Sequence, residues 1–343
     1  MSSDLNKSDS SNQLSMFRDI YGREKGEGSN IFNDWDFHPV YSVSKQEEIT
    51  LKRGNSKLPI ISHNYLLDGH EFTINITPAY INTKMGEEFF YPSEREEIVE
   101  LGLRKLMMQY NSSVHIPKKE TWVKFTLNEL LKVLKASSHS MDLNDLKQSL
   151  EIMQKCSIQI VKGKQKSYEG SILLEVLKTD REDYVSNGVS EWAVSFNSLI
   201  TSDIDNLNFR QINNRTLMLT KMQISKQIIK LLVRNFKNAG LGAPAYKLQA
   251  SEVIGMCRLN CARSRDNYAA IRKSLNEIRT LKDADNFSAI IPENDSDIAT
   301  MVEEEILKKG NKIVDIIFHI TPSKSFIDFV KAANKRDKNF SLT

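Results

Sequence analysis

The chain has 343 residues, 40% hydrophobic and 27% charged, a composition able to bury real cores in about two domains. No run approaches ~18 consecutive apolar residues, which excludes a membrane-spanning helix, and the amino terminus has no basic segment followed by an apolar one, which argues against secretion. The net charge of +3 hides an asymmetry: residues 206–282 carry fifteen Lys and Arg against only Glu252, Asp266 and Glu277, while both flanks are net acidic.

No acid stands between Asp205 and Glu252, so this block lacks the compensating charges of an ordinary solvated face, and a polyanion such as nucleic acid is its natural partner. Three cysteines (Cys156, Cys257 and Cys261) are too few for a disulfide framework and fit a reducing cytoplasm.

Residues 1–30 are rich in Ser, Asn, Asp, Lys and Gly, and read as a disordered arm. Residues 31–67 show no regular period. Phe72, Ile74 and Ile76 alternate with polar neighbours and predict a strand over 70–81. Ser93 followed by Glu96 is a capping box, opening a helix with Val99, Leu103, Leu106 and Tyr110 on its core stripe. A short strand over 122–125, a helix over 128–135 and a polar turn over 136–140 follow. A third helix carries Leu143, Leu146, Leu150 and Met153. Strands over 157–161 and 171–177 flank a turn-like segment, 163–170. Helix, strand, helix, helix and hairpin is the order of a winged helix.

The order recurs downstream. A long helix is expected over 216–238, with Met218, Met222, Ser225, Ile229, Leu232 and Phe236 on one face and Lys226, Lys230 and Arg234 as a basic i, i+4 row on another, expected to contact DNA. Residues 240–244 end it. A short strand at 247–248 and a helix capped by Ser251 follow, then a helix capped by Ser264, strands over 287–291 and 313–321, and a closing helix over 323–335. The expected fold is therefore α+β: two tandem winged-helix domains, 31–205 and 206–343, behind the arm 1–30.

The helix over 265–281 carries the chemistry. Tyr268, Ile271, Leu275 and Ile278 fall on one side at 100° per residue; Arg265, Ala269, Arg272, Lys273 and Asn276 fall on the other. Arg can read guanine bidentately, Asn can read adenine, and a small Ala permits close approach. Lys273 and Arg263 suit phosphates, which position a protein without specifying sequence. The matching helix of the first module, 142–155, holds Asp142, Asp145 and Glu151 against Lys147 and Lys155, so that module is assigned to backbone contact, protein contact or dimerisation. No phosphate-binding loop, His-x-His pair or paired Cys motif occurs, so neither a catalytic site, a cofactor nor a metal is expected.

The run Tyr91-Pro92-Ser93-Glu94-Arg95-Glu96-Glu97, the helix after His139-Ser140, and the stretches Phe196-Asn197-Ser198-Leu199-Ile200-Thr201 and Phe209-Arg210-Gln211-Ile212-Asn213 resemble segments of RepA-type plasmid replication initiators, over roughly residues 70–335. The resemblance implies a protein that binds iterons, repeated sites at a plasmid origin. The second winged helix would read the iteron through Arg265, Arg272, Lys273 and Asn276, and the first would dimerise or support the DNA contact. It implies duplex opening, recruitment of the host initiator and replicative helicase, and autoregulation by dimers. Two features depart from that pattern: the first 60 residues match nothing in it, and the second wing holds Glu293, Asp295, Asp297 and Glu303–Glu305 where a basic tip would help, although Lys308, Lys309 and Lys312 could reach phosphate. A winged-helix transcriptional regulator would use the same helix, and an interaction protein without DNA would use the basic block on an acidic partner.

Overall fold

The computed structural model describes residues 28–53, 57–83, 86–108, 112–178, 191–235, 245–261, 263–280, 302–321 and 331. Two compact units result, one comprising the chain up to Asn64 together with His70–Phe209, the other Tyr65–Gly69 with Arg210 onward. No helix among the described residues is long and apolar enough to cross a membrane.

Along the chain to Asp205 the elements are β1 (Gly28–Phe32), α1 (Lys45–Lys52), β2 (Ile61–Leu67), whose end from Tyr65 belongs to the second unit, β3 (His70–Thr77), β4 (Ala79–Thr83), β5 (Gly86–Phe90), α2 (Glu94–Met107), β6 (Ser113–Ile116), β7 (Glu120–Thr126), α3 (Leu127–Ala136), α4 (Leu143–Lys155), β8 (Ser157–Lys162), β9 (Gln165–Gly170), β10 (Leu173–Lys178), β11 (Glu191–Phe196) and α5 (Ser198–Asp205). The helix, strand, helix, helix, hairpin order is present with β8–β9 as the hairpin, but the strand beside β8 is β3 rather than β7 from between the first two helices, and the strand expected over 171–177 pairs with β11 rather than with β8. A separate antiparallel sheet runs in the order β10-β11-β7-β6.

Three expectations are corrected here. The arm was drawn to residue 30, but Gly28–Phe32 is a strand with Ser29 and Asn30 buried; residues 1–27 lie outside the described residues. Residues 31–43, which have no period, are core: Ile31, Phe32, Trp35, Phe37 and Val40 are buried. Successive turns place these side chains inward, and turns leave no periodic signature. Residues 165–170 form a strand rather than a loop. Its anchor is a single large residue, Tyr168, whose ring meets Trp35 edge-on at 5.9 Å.

The helix opened by the capping box is buried on more sides than its apolar stripe predicts. Val99, Leu103 and Leu106 are buried as expected, while Tyr110 lies outside the described residues. Glu96, Glu97, Glu100 and Arg104 are buried too. Glu96 accepts from the Ser93 backbone N–H at 2.9 Å and from the Ser149 hydroxyl of α4 at 2.9 Å, so the cap residue also ties two helices together. Arg104 donates to Asp36 at 2.7 Å and to Glu100 at 2.5 Å, and Glu100 also accepts from Trp35 Nε1 at 3.0 Å and from the Tyr41 hydroxyl. This ionic cluster pins the irregular segment 31–43 onto α2.

At the end of the unit Asp203 is fully buried, accepting from the Asp34 N–H at 2.8 Å and the Asn208 amide at 2.6 Å. Burial outweighs these donors and pushes its carboxyl up to about 8. A pKa raised on folding gives stability that is complete below the unfolded value near 4 and is lost as pH rises through about 8. Wild type should therefore lose stability relative to Asp203→Asn between pH 5 and pH 8, which urea midpoints at the two pH values would show; an unchanged difference would contradict the shift.

The second unit opens on β12 (Phe209–Asn213), followed by α6 (Asn214–Leu219), α7 (Gln223–Asn235), β13 (Tyr246–Gln249), α8 (Ala250–Met256), α9 (Ser264–Thr280), β14 (Val302–Lys309) and β15 (Lys312–Ile320). From α7 onward this is helix, strand, helix, helix, hairpin, and the sheet order β13-β15-β14 sets the short strand beside the inner wing strand, as a winged helix requires. Ile316, Phe318 and Ile320 of β15 and Leu248 of β13 line its core.

The helix expected over 216–238 is two helices, broken at Thr220–Met222. Ser251 does not cap α8 with its side chain; it lies in the first turn, where its N–H and hydroxyl donate to Asp315 of β15 at 3.0 and 2.6 Å. The strand expected over 287–291 lies outside the described residues, as does the closing helix 323–335 apart from residue 331. The partner of β15 is instead β14, within the stretch expected to be the wing loop.

Candidate nucleic-acid interface

Helix α9 occupies the third-helix position of the second winged helix. Its apolar stripe folds inward as the 3.6-residue period demands, with Tyr268 6%, Ile271 0%, Leu275 3% and Ile278 0% exposed. At roughly 1.5–3 kcal/mol per buried large side chain, this stripe is what orients the helix. The opposite side is open: Arg263, Arg265, Ala269, Arg272, Lys273 and Asn276 are all exposed. Six residues scattered over fourteen positions thus lie on the solvent side of one segment.

A carboxylate on the same helix locks its rotation. Glu277 accepts the backbone N–H of Lys221 at 2.8 Å and of Met222 at 3.1 Å, and the Ser225 hydroxyl at 2.6 Å. These donors lie at the break before α7 and in its first turn, where N–H groups lack helical partners and a negative charge is favoured. The break in the expected long helix is what makes this contact possible. Glu277→Ala should cost the unit about 1–3 kcal/mol by orphaning these donors, with Glu277→Gln in between; thermal melts would measure it, and an unshifted melt would mean that the helix pair is held by apolar packing alone.

In the basic row of the preceding helix, the two lysines do not reach solvent and Arg234 does so only in part. Lys226 is 0% and Lys230 2% exposed, and every residue of α7 from Ile224 to Val233 is buried. Arg234 is ion-paired with Asp68. The row was placed outside because Lys and Arg prefer water, but α7 is enclosed on all sides, and the long apolar stems of these side chains are buried with it. Burial removes Lys226 and Lys230 from the expected DNA contacts, and Arg234 is taken up by Asp68.

The wing revises the charge map in the other direction. Lys309 pairs with Lys312 across the turn Gly310-Asn311, with Gly310 at φ +63°, a backbone region that suits glycine. Lys308, Lys309 and Lys312 are therefore the exposed tip, and Glu303–Glu305 sit at its base. Glu293, Asp295 and Asp297 lie outside the described residues. A two-residue Gly-Asn step between alternating segments is a hairpin signal that was legible in the sequence.

At the base of the wing, Glu304 reaches across to α9. Arg272 Nε donates to its Oε1 at 2.7 Å and Arg272 Nη2 to its Oε2 at 2.6 Å. The hydrogen bonds from Arg272 hold the Glu304 carboxyl below the usual range and raise the guanidinium in turn. Elsewhere Arg265 stands 3.6 Å from its neighbour Asp266, and on the outer face of the wing Glu305 meets His319 at 3.0 Å. In the first unit, by contrast, α4 opens on Asp142, whose side chain caps the helix at 2.8 Å from two N–H groups, and Asp145 pairs with Arg95. That end offers no basic surface to a phosphate.

The sequence matches no protein-family model, and no curated protein matches it. Among solved structures the chain is similar to domains 2 and 3 of RctB, at a TM-score of 0.44 and 8% identity over 78% of this chain and 93% of that one. A second structure of RctB domains 2–3 aligns at a TM-score of 0.42 and 8% identity, covering 80% of this chain and 96% of that one. The Pi initiator protein in complex with iteron DNA aligns at 0.39 and 10% identity, covering 73% and 98%.

Proposed function

We propose that this chain is a replication initiator that binds repeated sites in double-stranded DNA at an origin and acts by binding rather than by catalysis. The observation that carries the reading is α9: a helix rotationally fixed by its buried stripe and by Glu277, presenting Arg265, Ala269, Arg272, Lys273 and Asn276 outward from the third-helix position of a winged helix. An Arg and an Asn one turn apart on the same face are the groups that distinguish guanine and adenine in a major groove, and Arg263, Lys273 and the wing-tip lysines are suited to the flanking phosphates.

The initiator role in particular rests on the likeness of residues 91–97, 139–153, 196–201 and 209–213 to RepA-type proteins. Under it, the chain opens the adjacent duplex, helps recruit the host initiator and helicase, and represses its own gene as a dimer. The first unit supplies the self-contact. The outer face of the sheet β10-β11-β7-β6 leaves Val114, Ile116 and Leu177 exposed, 45%, 37% and 53%, on the side away from the core, and apolar area of this kind is what an isologous interface covers.

Footprinting of the purified protein on DNA flanking its own gene, at two salt concentrations, tests the reading. Regularly spaced protected repeats that persist at the higher salt are the expected result. One palindromic footprint at the promoter would replace the initiator with a regulator, and diffuse protection that vanishes with salt would remove sequence reading altogether.

A further inference from the structure

The Arg272–Glu304 contact has a handedness that matters. A guanidinium has five N–H groups arranged on two usable edges: a side edge formed by Nε–H and one N–H of Nη2, and an end edge formed by the other N–H of Nη2 and one of Nη1. Glu304 takes both donors of the side edge, at 2.7 and 2.6 Å. With the side edge taken, the end edge is the parallel donor pair left to meet guanine O6 and N7. The carboxylate belongs to the wing, opposite Phe318 in the β14–β15 register and so on the strand face that also carries the buried Phe318 toward the core.

We infer that Glu304 is a positioning residue for base recognition: it holds Arg272 by its side edge so that the end edge is presented to a guanine. The inference rests on the proposed DNA reading. It also accounts for an acidic wing base in a protein built to meet phosphates. A flexible arginine loses rotamer entropy when it docks on a base, and a rigid carboxylate partner takes most of that loss before DNA arrives. The same arginine without its partner would still be attracted to DNA, but would select its base less sharply.

The test is selection from a pool of duplex DNA with a randomised central stretch, using the full chain and its Arg272→Ala, Glu304→Gln and Glu304→Ala variants. Wild type is expected to retain a guanine at one position. Arg272→Ala should erase that preference, and both Glu304 variants should weaken it at the same position by about tenfold, while binding to unselected duplex stays level or rises because a negative charge has gone. The pair is half-exposed, so thermal melts should be close to wild type for Glu304→Gln, which separates positioning from folding. A guanine preference kept or sharpened in Glu304→Gln would overturn the inference, showing Glu304 to be a competitor that DNA must displace. Wild type retaining no base preference at all would overturn the DNA reading itself, and with it this inference.

Discussion

Replacing Arg104 with Ala is expected to destabilise the first unit by about 3–5 kcal/mol, the cost of leaving a buried ion pair without one partner. Asp36 and Glu100 would both keep their positions beside a cavity, and neither reaches solvent, since Asp36, Glu100 and Arg104 are all buried. A total stability on the order of 5–15 kcal/mol makes that loss close to unfolding at room temperature. Arg104→Met should fare little better, because filling the space does not neutralise two carboxylates. Glu100→Gln should be milder, since the amide oxygen can still accept from Trp35 Nε1. Urea unfolding followed by tryptophan fluorescence reports on Trp35, which sits in the cluster, together with Trp122 and Trp192 of the same unit. A loss under about 1 kcal/mol for Arg104→Ala would mean that water reaches the carboxylates and that the cluster is not what holds residues 31–43 in place.

Substitutions on α9 should separate base reading from phosphate contact. Arg272→Ala is expected to cost about 1–3 kcal/mol on the specific site and to relax selection at one base position. Lys273→Ala should instead weaken all duplexes alike and lower the salt slope of binding by about 1, as should Arg263→Ala. Lys230→Ala is the internal control. With 2% exposure it should change stability and leave the salt slope alone, although charge counting along the sequence places it among the phosphate contacts. Equilibrium binding of each variant at several salt concentrations, on a protected repeat and on an unrelated duplex, distinguishes these outcomes. If Arg272→Ala changed neither affinity nor selectivity, α9 would not be the reading helix.

The elements most legible in the sequence were those with a period. The stripes Val99/Leu103/Leu106 and Tyr268/Ile271/Leu275/Ile278 are buried where the 3.6-residue repeat puts them, and the exposed side of α9 follows from the second of these alone. Ser93 with Glu96 marked the start of α2. Segments without a period were missed. Ile31, Phe32, Trp35 and Phe37 are buried through turns and an ionic cluster, and β9 depends on one tyrosine. The wing was misplaced because its acids were read as loop, although the Gly310-Asn311 step between Lys309 and Lys312 marked the turn.

Amino-acid order by itself determined the local matters: which side of each periodic helix is apolar, where two winged-helix patterns begin, and that positive charge gathers in residues 206–282. Those follow from spacing and composition, which need no knowledge of distant residues. Tertiary structure decided which charges are surface charges. Lys226 and Lys230 disappear into an enclosed helix, the Lys308–Lys312 turn emerges as the tip of a wing, and Glu304 meets Arg272 from thirty-two positions away. The reason is that exposure and ion pairing depend on what packs against a helix from elsewhere in the chain, whereas amphipathic period depends only on the helix itself.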